Sequence, residues 1–88
     1  MTEAEAYQFL TPIFTRVFER EGIVLTPDLS SKDVFGWDSF KQVEIIIAIE
    51  ESLSIRFKPS EVDLLQNVGD LARLVALRTD GRPFEAKP

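Results

Sequence analysis

The stretch GWDSFKQVEIIIAIEESLS, residues 36–54, decides which fold this chain adopts. Its three consecutive isoleucines, residues 45–47, are β-branched and would suit a strand. The length of the segment, its glutamates and its Asp-Ser start favour a helix instead, because Asp and Ser cap free backbone N–H groups at helix N-termini. The stretch therefore predicts a helix that opens around Asp38 and Ser39 and runs to about Ser54.

This helix carries apolar residues on two sides. One stripe consists of Ile45, Ile46, Ile49 and Leu53. A second stripe consists of Phe40, Val43 and Ile47. A helix that is apolar on more than one side either lies in the centre of a bundle or keeps one stripe for a partner.

An amphipathic helix precedes this segment. Thr2 and Glu5 have the spacing of a capping box, and apolar residues then recur at helical intervals to about Arg20. Pro12 interrupts the pattern, because a proline inside a helix removes a backbone hydrogen bond at a cost of about 3 kcal/mol. Either the helix is kinked at Pro12, or Thr11 caps a second helix that begins there. The apolar stripe consists of Ala6, Leu10, Ile13, Phe14, Val17 and Phe18.

Gly22 is expected to end the first helix, and residues 23–37 then form a long loop with turn signals at residues 26–28 and 30–31. Long loops inside small domains are uncommon and often functional. Because this loop is rich in apolar side chains, we expect it to pack over the core. Those side chains are Ile23, Leu25, Leu29, Val34 and Phe35.

Two more helices are predicted in the second half of the chain. Pro59 starts a short one that reaches residues 64–65, and Asn67 caps the last one. The chain is thus predicted to be an all-α, small four-helix bundle with a long first loop and a short third helix. Residues 1–80 would form its one domain, and residues 81–88 a flexible tail. The inner stripe of the last helix consists of Val68, Leu71, Ala72 and Val75.

The composition excludes several classes of function. The chain has no Cys and no His, which removes disulfides, thiolate or imidazole metal sites, and Ser-His or Cys-His catalytic pairs. We therefore predict that it is not an enzyme and holds no metal ion. The net charge of −5 disfavours nucleic acid as a partner and suits a protein with a basic docking face.

Length and hydropathy point to a small domain away from the membrane. The chain has 88 residues, room for one stand-alone domain. No apolar run reaches the about 18 residues that would span a bilayer, and the acidic start does not resemble a signal peptide. We expect a monomer in the cytoplasm, without membrane insertion.

Residues 36–40, Gly-Trp-Asp-Ser-Phe, resemble the Gly-x-Asp-Ser-Leu motif of acyl carrier proteins and of related peptidyl and aminoacyl carrier domains. The resemblance covers roughly residues 10–77, including the second and third predicted helices. It implies that the Ser39 hydroxyl is esterified by the phosphate of 4′-phosphopantetheine. Coenzyme A would be the donor, and a separate phosphopantetheinyl transferase using Mg²⁺ the catalyst. Asp38 would help to position the serine and the metal ion of the transferase.

The resemblance further implies a carrier of acyl or aminoacyl intermediates. These would be held as thioesters on the arm and delivered to enzymes of lipid, polyketide or related biosynthesis. The local chemistry agrees, because a helix N-terminus at Ser39 favours a negatively charged group. Two alternatives are that Asp38 or Ser39 merely caps the helix, or that the chain is an unmodified helical module that only binds other proteins.

A docking surface for the partner enzymes is also implied, and these enzymes would include the transferase and acyl-loading and acyl-processing enzymes with basic patches. Glu50 and Glu51 would extend its acidic rim, and Trp37 is expected to pack rather than to shield the arm. The predicted docking residues are Phe40, Lys41, Val43, Glu44 and Ile47.

This chain departs from the family pattern at four positions. Phe40 replaces the usual leucine of the motif, and Lys41 adds positive charge to a helix face that is acidic in many relatives. Arg56 and Lys58 likewise replace acidic or neutral residues. These departures indicate a specialised carrier rather than the general fatty-acid one.

Overall fold

This computed structural model describes residues 1–80. They contain four helices joined by loops: α1 Glu3–Phe18, α2 Ser39–Leu53, α3 Pro59–Asp63 and α4 Val68–Arg78. Helix α1 packs against both α2 and α4, and no strand occurs within these residues. The predicted all-α bundle with a long first loop and a short third helix is confirmed. The flexible tail predicted at residues 81–88 lies outside the described residues. None of the four helices is long and apolar enough to cross a membrane.

The hydrophobic core lies where the inner faces of α1, α2 and α4 meet. Ile45 and Ile49 of α2 are fully buried there, as the first stripe predicted. Burying a side chain of this size stabilises the fold by about 1.5–3 kcal/mol, whereas isoleucine costs a helix less than about 0.7 kcal/mol relative to alanine. Burial of Ile45 and Ile46 therefore outweighs the strand preference of residues 45–47. The core comprises Ala6, Leu10, Ile13, Phe14, Val17, Ile45, Ile46, Ile49, Leu53, Phe57, Val68, Leu71, Ala72 and Val75.

Helix α1 continues through Pro12 as a single helix. The predicted capping box is present: the Thr2 N–H donates to the Glu5 carboxylate over 2.8 Å, and the Glu5 N–H donates to the Thr2 hydroxyl over 3.1 Å. Thr11 caps no second helix, because its hydroxyl donates to the carbonyl of Tyr7 over 2.7 Å. The helix tolerates the proline because burial of its apolar face against two neighbours outweighs one lost hydrogen bond.

The end of α1 differs from the prediction that Gly22 terminates it. The helix stops at Phe18, and Glu19 adopts the left-handed conformation, with φ 51° and ψ 44°. The Arg20 N–H then donates to the Thr15 carbonyl over 3.1 Å, which satisfies a carbonyl of the last turn. Gly22, with φ 79°, lies in the turn that follows. A non-glycine residue is thus accepted in the left-handed region, at a cost of about 1–2 kcal/mol.

The long loop is anchored by the N-terminus of α4. The backbone N–H groups of Val68 and Gly69 donate to the carbonyls of Leu29 and Pro27, over 2.8 and 2.9 Å respectively. These donors would otherwise be unpaired in the first turn of the helix. A Cβ atom at Gly69 would lie 2.9 Å from the Pro27 carbonyl oxygen, so glycine is needed for the two backbones to approach this closely.

The apolar residues of this loop do not all pack over the core, and the prediction is wrong for Phe35, which is 88% exposed. Residues 34–37 form a β-turn in which the Trp37 N–H donates to the Val34 carbonyl over 3.1 Å. Gly36, with φ 88°, takes the third position that a type II turn reserves for glycine. Phe35 occupies the corner of this turn and points to solvent, whereas Val34 is buried. Three other loop residues are half-buried: Ile23, Leu25 and Leu29.

Polar contacts help to hold α3 in place, because none of its residues is fully buried and its apolar contact with the core comes from the half-buried Val62. The Arg78 guanidinium bonds to the Glu61 carboxylate and to the Arg56 carbonyl, each over 2.9 Å, and lies 5.6 Å from the centre of the Phe57 ring. The helix ends at Asp63, two residues earlier than predicted, since the chain turns there towards the start of α4. The position of α3 therefore depends in part on one arginine near the end of α4.

We expect Ile49→Ala to lower the free energy of unfolding by about 2–5 kcal/mol, because it removes fully buried methylene groups and leaves a cavity. Ile47→Ala is the matched control on the same helix. Since Ile47 is 47% exposed, we expect that change to cost less than about 1 kcal/mol. Chemical denaturation of both variants measures the difference. Equal losses would show that the second stripe of α2 also belongs to the core.

Candidate functional site

Asp38 and Ser39 lie where the long loop enters α2, and both residues are exposed. Asp38 is the N-cap, and its carboxylate accepts the backbone N–H of Lys41 over 3.0 Å. Ser39 is the first residue of the helix, and its hydroxyl has no hydrogen-bond partner within residues 1–80. The capping role considered for both residues therefore belongs to Asp38, and the Ser39 hydroxyl stays available for chemistry.

The first turn of α2 also presents unpaired backbone donors. The N–H groups of Ser39 and Phe40 have no hydrogen-bond partner among the described residues, as is usual at a helix N-terminus. The helix macrodipole adds the equivalent of about half a positive elementary charge there. This environment favours a phosphate group attached to the serine.

The indole of Trp37 fastens the start of α2 to α1. Its ring meets Phe14 edge-on, with centroids 5.4 Å apart and planes at 81°, and meets Phe18 at 5.9 Å and 61°. Such tilted aromatic pairs add about 0.5–1.5 kcal/mol beyond the burial of their surface. The indole N–H donates to the side-chain oxygen of Gln42 over 2.9 Å. The packing role predicted for Trp37 is confirmed, and Ser39 lies only two residues further along the chain.

Two cations tie the same region to the C-terminal end of α1. The Lys41 ammonium donates to the Val17 carbonyl over 3.2 Å, and the Arg20 guanidinium donates to the Phe35 carbonyl over 3.3 Å. Positive charge is favourable beside the last carbonyls of a helix. Lys41 also lies 3.6 Å from Glu44, an exposed pair of small energetic weight. Lys41, predicted as a docking residue, thus has a structural contact as well.

An open cleft of about 350 Å³ has Ser39 among its lining residues. One wall comes from α2 and the loop before it, and the other comes from α3, the segment after it and the start of α4. No group of Asp, Glu, His or Cys side chains within residues 1–80 is arranged to hold a metal ion. The cleft is lined by Ser31, Trp37, Asp38, Ser39, Gln42, Val62, Asp63, Leu65, Gln66, Asn67 and Leu71.

An exposed apolar face runs down α2 from Ser39. Its members Phe40, Val43 and Ile47 are 79%, 54% and 47% exposed, and their spacing of three and four residues places them on one side of the helix. Phe35 in the preceding turn adds a fourth exposed apolar side chain close to Ser39 in sequence. Glu44 is exposed on the same helix. The structure therefore leaves unburied every apolar residue that the sequence assigned to the second stripe.

The two glutamates at the far end of α2 have different environments. The Glu50 carboxylate accepts the backbone N–H of Phe57 over 2.8 Å and is half-buried. Its contact holds the segment before α3 against α2. Glu51 is exposed and has no partner within residues 1–80. Of the predicted acidic rim, Glu44 and Glu51 are therefore the more accessible members.

Two parts of this site were not identified from the sequence. Gln42 lines the cleft and bonds to Trp37, and its spacing of three residues from Ser39 was the signal that both share a side of the helix. The second wall of the cleft comes from residues 62–67 and Leu71. No local pattern indicates that those residues face Ser39, because their placement depends on how α3 and α4 pack.

Three comparisons with known proteins agree. The family described as the phosphopantetheine attachment site matches residues 8–75. Acyl carrier protein 2 of Ralstonia nicotianae is 30% identical over 71 residues, which cover 81% of this chain and 88% of that protein. The solution structure of a holo acyl carrier protein from Geobacter metallireducens matches with a TM-score of 0.77 at 36% identity, covering 92% of this chain and 98% of that one.

We expect Lys41→Glu to lower the free energy of unfolding by about 1–2 kcal/mol, because a carboxylate beside the Val17 carbonyl and the last turn of α1 is unfavourable and outweighs its favourable position in the first turn of α2. Lys41→Met keeps most of the aliphatic stem and removes only the charged contact. It should therefore cost less, about 1 kcal/mol or below. Urea denaturation compares the two variants with the unmodified sequence. An unchanged stability in Lys41→Glu would contradict the structural role of this lysine.

Proposed function

This chain belongs to the phosphopantetheine-attachment family of acyl carrier proteins, and we propose that Ser39 is the residue on which it bears its prosthetic group. That group is phosphopantetheine, and the members of the family are carriers rather than enzymes. The observation that carries the assignment is that Asp38 caps α2, so that the adjacent Ser39 hydroxyl is exposed and unpaired.

The residues around Ser39 fit a phosphate ester. The unpaired N–H groups of Ser39 and Phe40 and the positive end of the helix dipole offset its negative charge. The Asp38 carboxylate is turned to the Lys41 N–H and holds the first turn in place. The cleft that Ser39 lines is also lined by Gln42, one helical turn further on along α2. The cleft offers both polar and apolar contacts to an attached phosphopantetheine arm.

The attachment chemistry that we propose involves one bond to this chain. The Ser39 Oγ atom forms a bond to the pantetheine-side phosphorus of coenzyme A while the P–O bond of the pyrophosphate breaks. The serine proton passes to the base of the transferase, and adenosine 3′,5′-bisphosphate leaves with the bonding electrons. A transferase supplies the base and the metal ion, since the chain has no histidine that could act as the base. When bound, the group supplies a terminal thiol that holds cargo as a thioester, a chemistry for which the chain itself has no Cys.

We further propose that partner enzymes dock on the exposed face of α2. Phe40, Val43 and Ile47 form its apolar part, and their exposure is otherwise costly for a small protein. Glu44 and Lys41 border this face, and the net charge of −5 favours partners with a basic surface. Large apolar side chains are typical anchors of such interfaces. The partners would be a phosphopantetheinyl transferase and acyl-loading or acyl-processing enzymes.

The cargo that we propose is an acyl or aminoacyl intermediate of lipid, polyketide or related biosynthesis, carried by a monomer in the cytoplasm. Phe40 and Lys41 support a specialised partner set, because they alter the shape and charge of the docking face beside the attachment residue. The Lys41 contact with Val17 also implies that a change at this lysine would shift the start of α2. The choice of partner enzymes and the position of Ser39 would then both depend on Lys41.

Incubation with coenzyme A, Mg²⁺ and a broad-specificity transferase should add one phosphopantetheine to the chain, and Ser39→Ala should abolish the addition. Intact-protein mass spectrometry measures both results. Circular dichroism should show Ser39→Ala fully folded, because Asp38 and not Ser39 supplies the cap. Modification that survives in Ser39→Ala would overturn the assignment. The absence of modification with several transferases would favour an unmodified protein-binding module instead.

Glu44→Lys should slow transfer from a cognate enzyme more at low salt than at high salt, because ionic screening over a Debye length of about 10 Å at 0.1 M weakens contacts between exposed charges. Glu51→Lys makes the same charge change two turns further from Ser39 and should have a smaller effect. Transfer rates at several ionic strengths measure the difference. A loss that does not depend on salt would indicate that Glu44 acts through packing and not through charge.

A further inference from the structure

The hydrogen bond between Trp37 and Gln42 determines the orientation of the glutamine amide. An indole N–H can only donate, so the atom of Gln42 that lies 2.9 Å from it must be the oxygen. The amide nitrogen therefore occupies the other end of the group. Within residues 1–80 this nitrogen has no hydrogen-bond partner. Gln42 thus presents two unused donors.

Those donors are close to the attachment residue. Gln42 follows Ser39 by three residues on α2, and side chains at this spacing are neighbours on a helix, with Cβ atoms about 5–6 Å apart. Both residues line the same cleft. The acidic residue nearest to Ser39, Asp38, directs its carboxylate to the Lys41 N–H. Gln42 is therefore the neutral side-chain donor of the α2 wall that lies nearest to Ser39 in the helix.

We propose that the amide nitrogen of Gln42 binds an oxygen of the prosthetic arm close to its attachment point, and that Trp37 acts as the positioning residue that orients this amide. This inference rests on the proposed attachment at Ser39. The arm offers suitable acceptors there, because its first groups are a phosphodiester and, further on, an amide carbonyl. The bond would hold the first part of the arm along the cleft.

The placement of Trp37 explains why the glutamine is ready to bind. The indole is held by two phenylalanine rings of α1, Phe14 and Phe18. A glutamine that bonds to such a fixed group has already lost much of its rotamer freedom, so that binding the arm costs less conformational entropy.

Gln42→Glu separates these two roles. The carboxylate keeps an oxygen that accepts the indole N–H, but it has no donor for the arm. Gln66→Glu is the matched control, because it adds the same charge to a residue that lines the same cleft from the opposite wall. The holo forms of both variants are compared with the holo form of the wild-type protein by NMR. The protein is labelled with ¹⁵N, and the arm is transferred from ¹³C-labelled coenzyme A.

In the holo form of the wild-type protein we expect nuclear Overhauser contacts between the Gln42 side-chain amide protons and protons of the arm. In Gln42→Glu the contacts between the arm and the walls of the cleft should fall about fivefold, which is the loss expected for one hydrogen bond. The indole N–H resonance of Trp37, the one tryptophan of the chain, should keep the chemical shift that it has in the wild-type protein, because the carboxylate still accepts this hydrogen bond. In Gln66→Glu the loss of arm contacts should be less than about half of the loss in Gln42→Glu. A shift of the ³¹P resonance or of the first carbonyl ¹³C resonance in Gln42→Glu identifies the bound oxygen.

Trp37→Phe provides the complementary test, because it keeps an aromatic ring and removes the N–H donor. Contacts between Gln42 and the arm should then weaken while the protein stays folded. Mass spectrometry first establishes that the arm is on Ser39, and its absence would count against the proposed function. An arm that is attached but makes no contact with Gln42, or that is equally ordered in Gln42→Glu, would overturn this inference alone.

Discussion

The hydrogen bond from the Lys41 backbone N–H to the Asp38 carboxylate determines where α2 begins, and the site depends on that contact. A helix N-terminus needs a side-chain acceptor for its first free donors. Because Asp38 supplies it, Ser39 becomes the first helical residue, and its hydroxyl is not consumed by the backbone. If the cap moved by one residue, the serine oxygen would accept that bond and would no longer point freely into solvent.

The C-terminal end of α1 acts as the platform for this helix start. Phe14 and Phe18 hold the indole of Trp37, and the Val17 carbonyl accepts the Lys41 ammonium. Functional side chains keep their geometry best when rigid elements support them. The exposed serine therefore has a defined position even though the loop before it is long. The apolar surface beside it stays exposed because the opposite face of α2 supplies the core.

The two walls of the cleft differ in how they are stabilised. The α2 wall rests on the core, where Ile45 and Ile49 are fully buried. On the other wall, helix α3 itself has no buried residue and is held in part by Arg78 and by the Glu50 contact with the Phe57 backbone. Regions with few buried apolar contacts open at lower free energy than the core does. The α2 side of the cleft, which bears Ser39, is therefore more rigid, and α3 on the opposite side is expected to open locally at a lower free energy.

Much of the fold could be predicted from local patterns. The capping box of Thr2 and Glu5, the cap at Asn67 and the two stripes of α2 follow from bonds within three residues or from the helical repeat, and all of them are present. The proposed attachment residue also follows from the local sequence, since Asp38 and Ser39 are adjacent and the helix after them is strongly patterned. Local chemistry is sufficient for such features because the interacting atoms are neighbours along the chain.

Tertiary structure alone decided the rest. Lys41 meets a carbonyl 24 residues away, and Arg78 meets one 22 residues away, so neither contact leaves a sign in the local sequence. The exposure of Phe35 depends on the turn that carries it. The orientation of the Gln42 amide depends on where the indole of Trp37 is held against α1. These properties arise only when packing brings distant atoms together, because a side chain's hydrogen-bond partner is set by distance in space and not by distance along the chain.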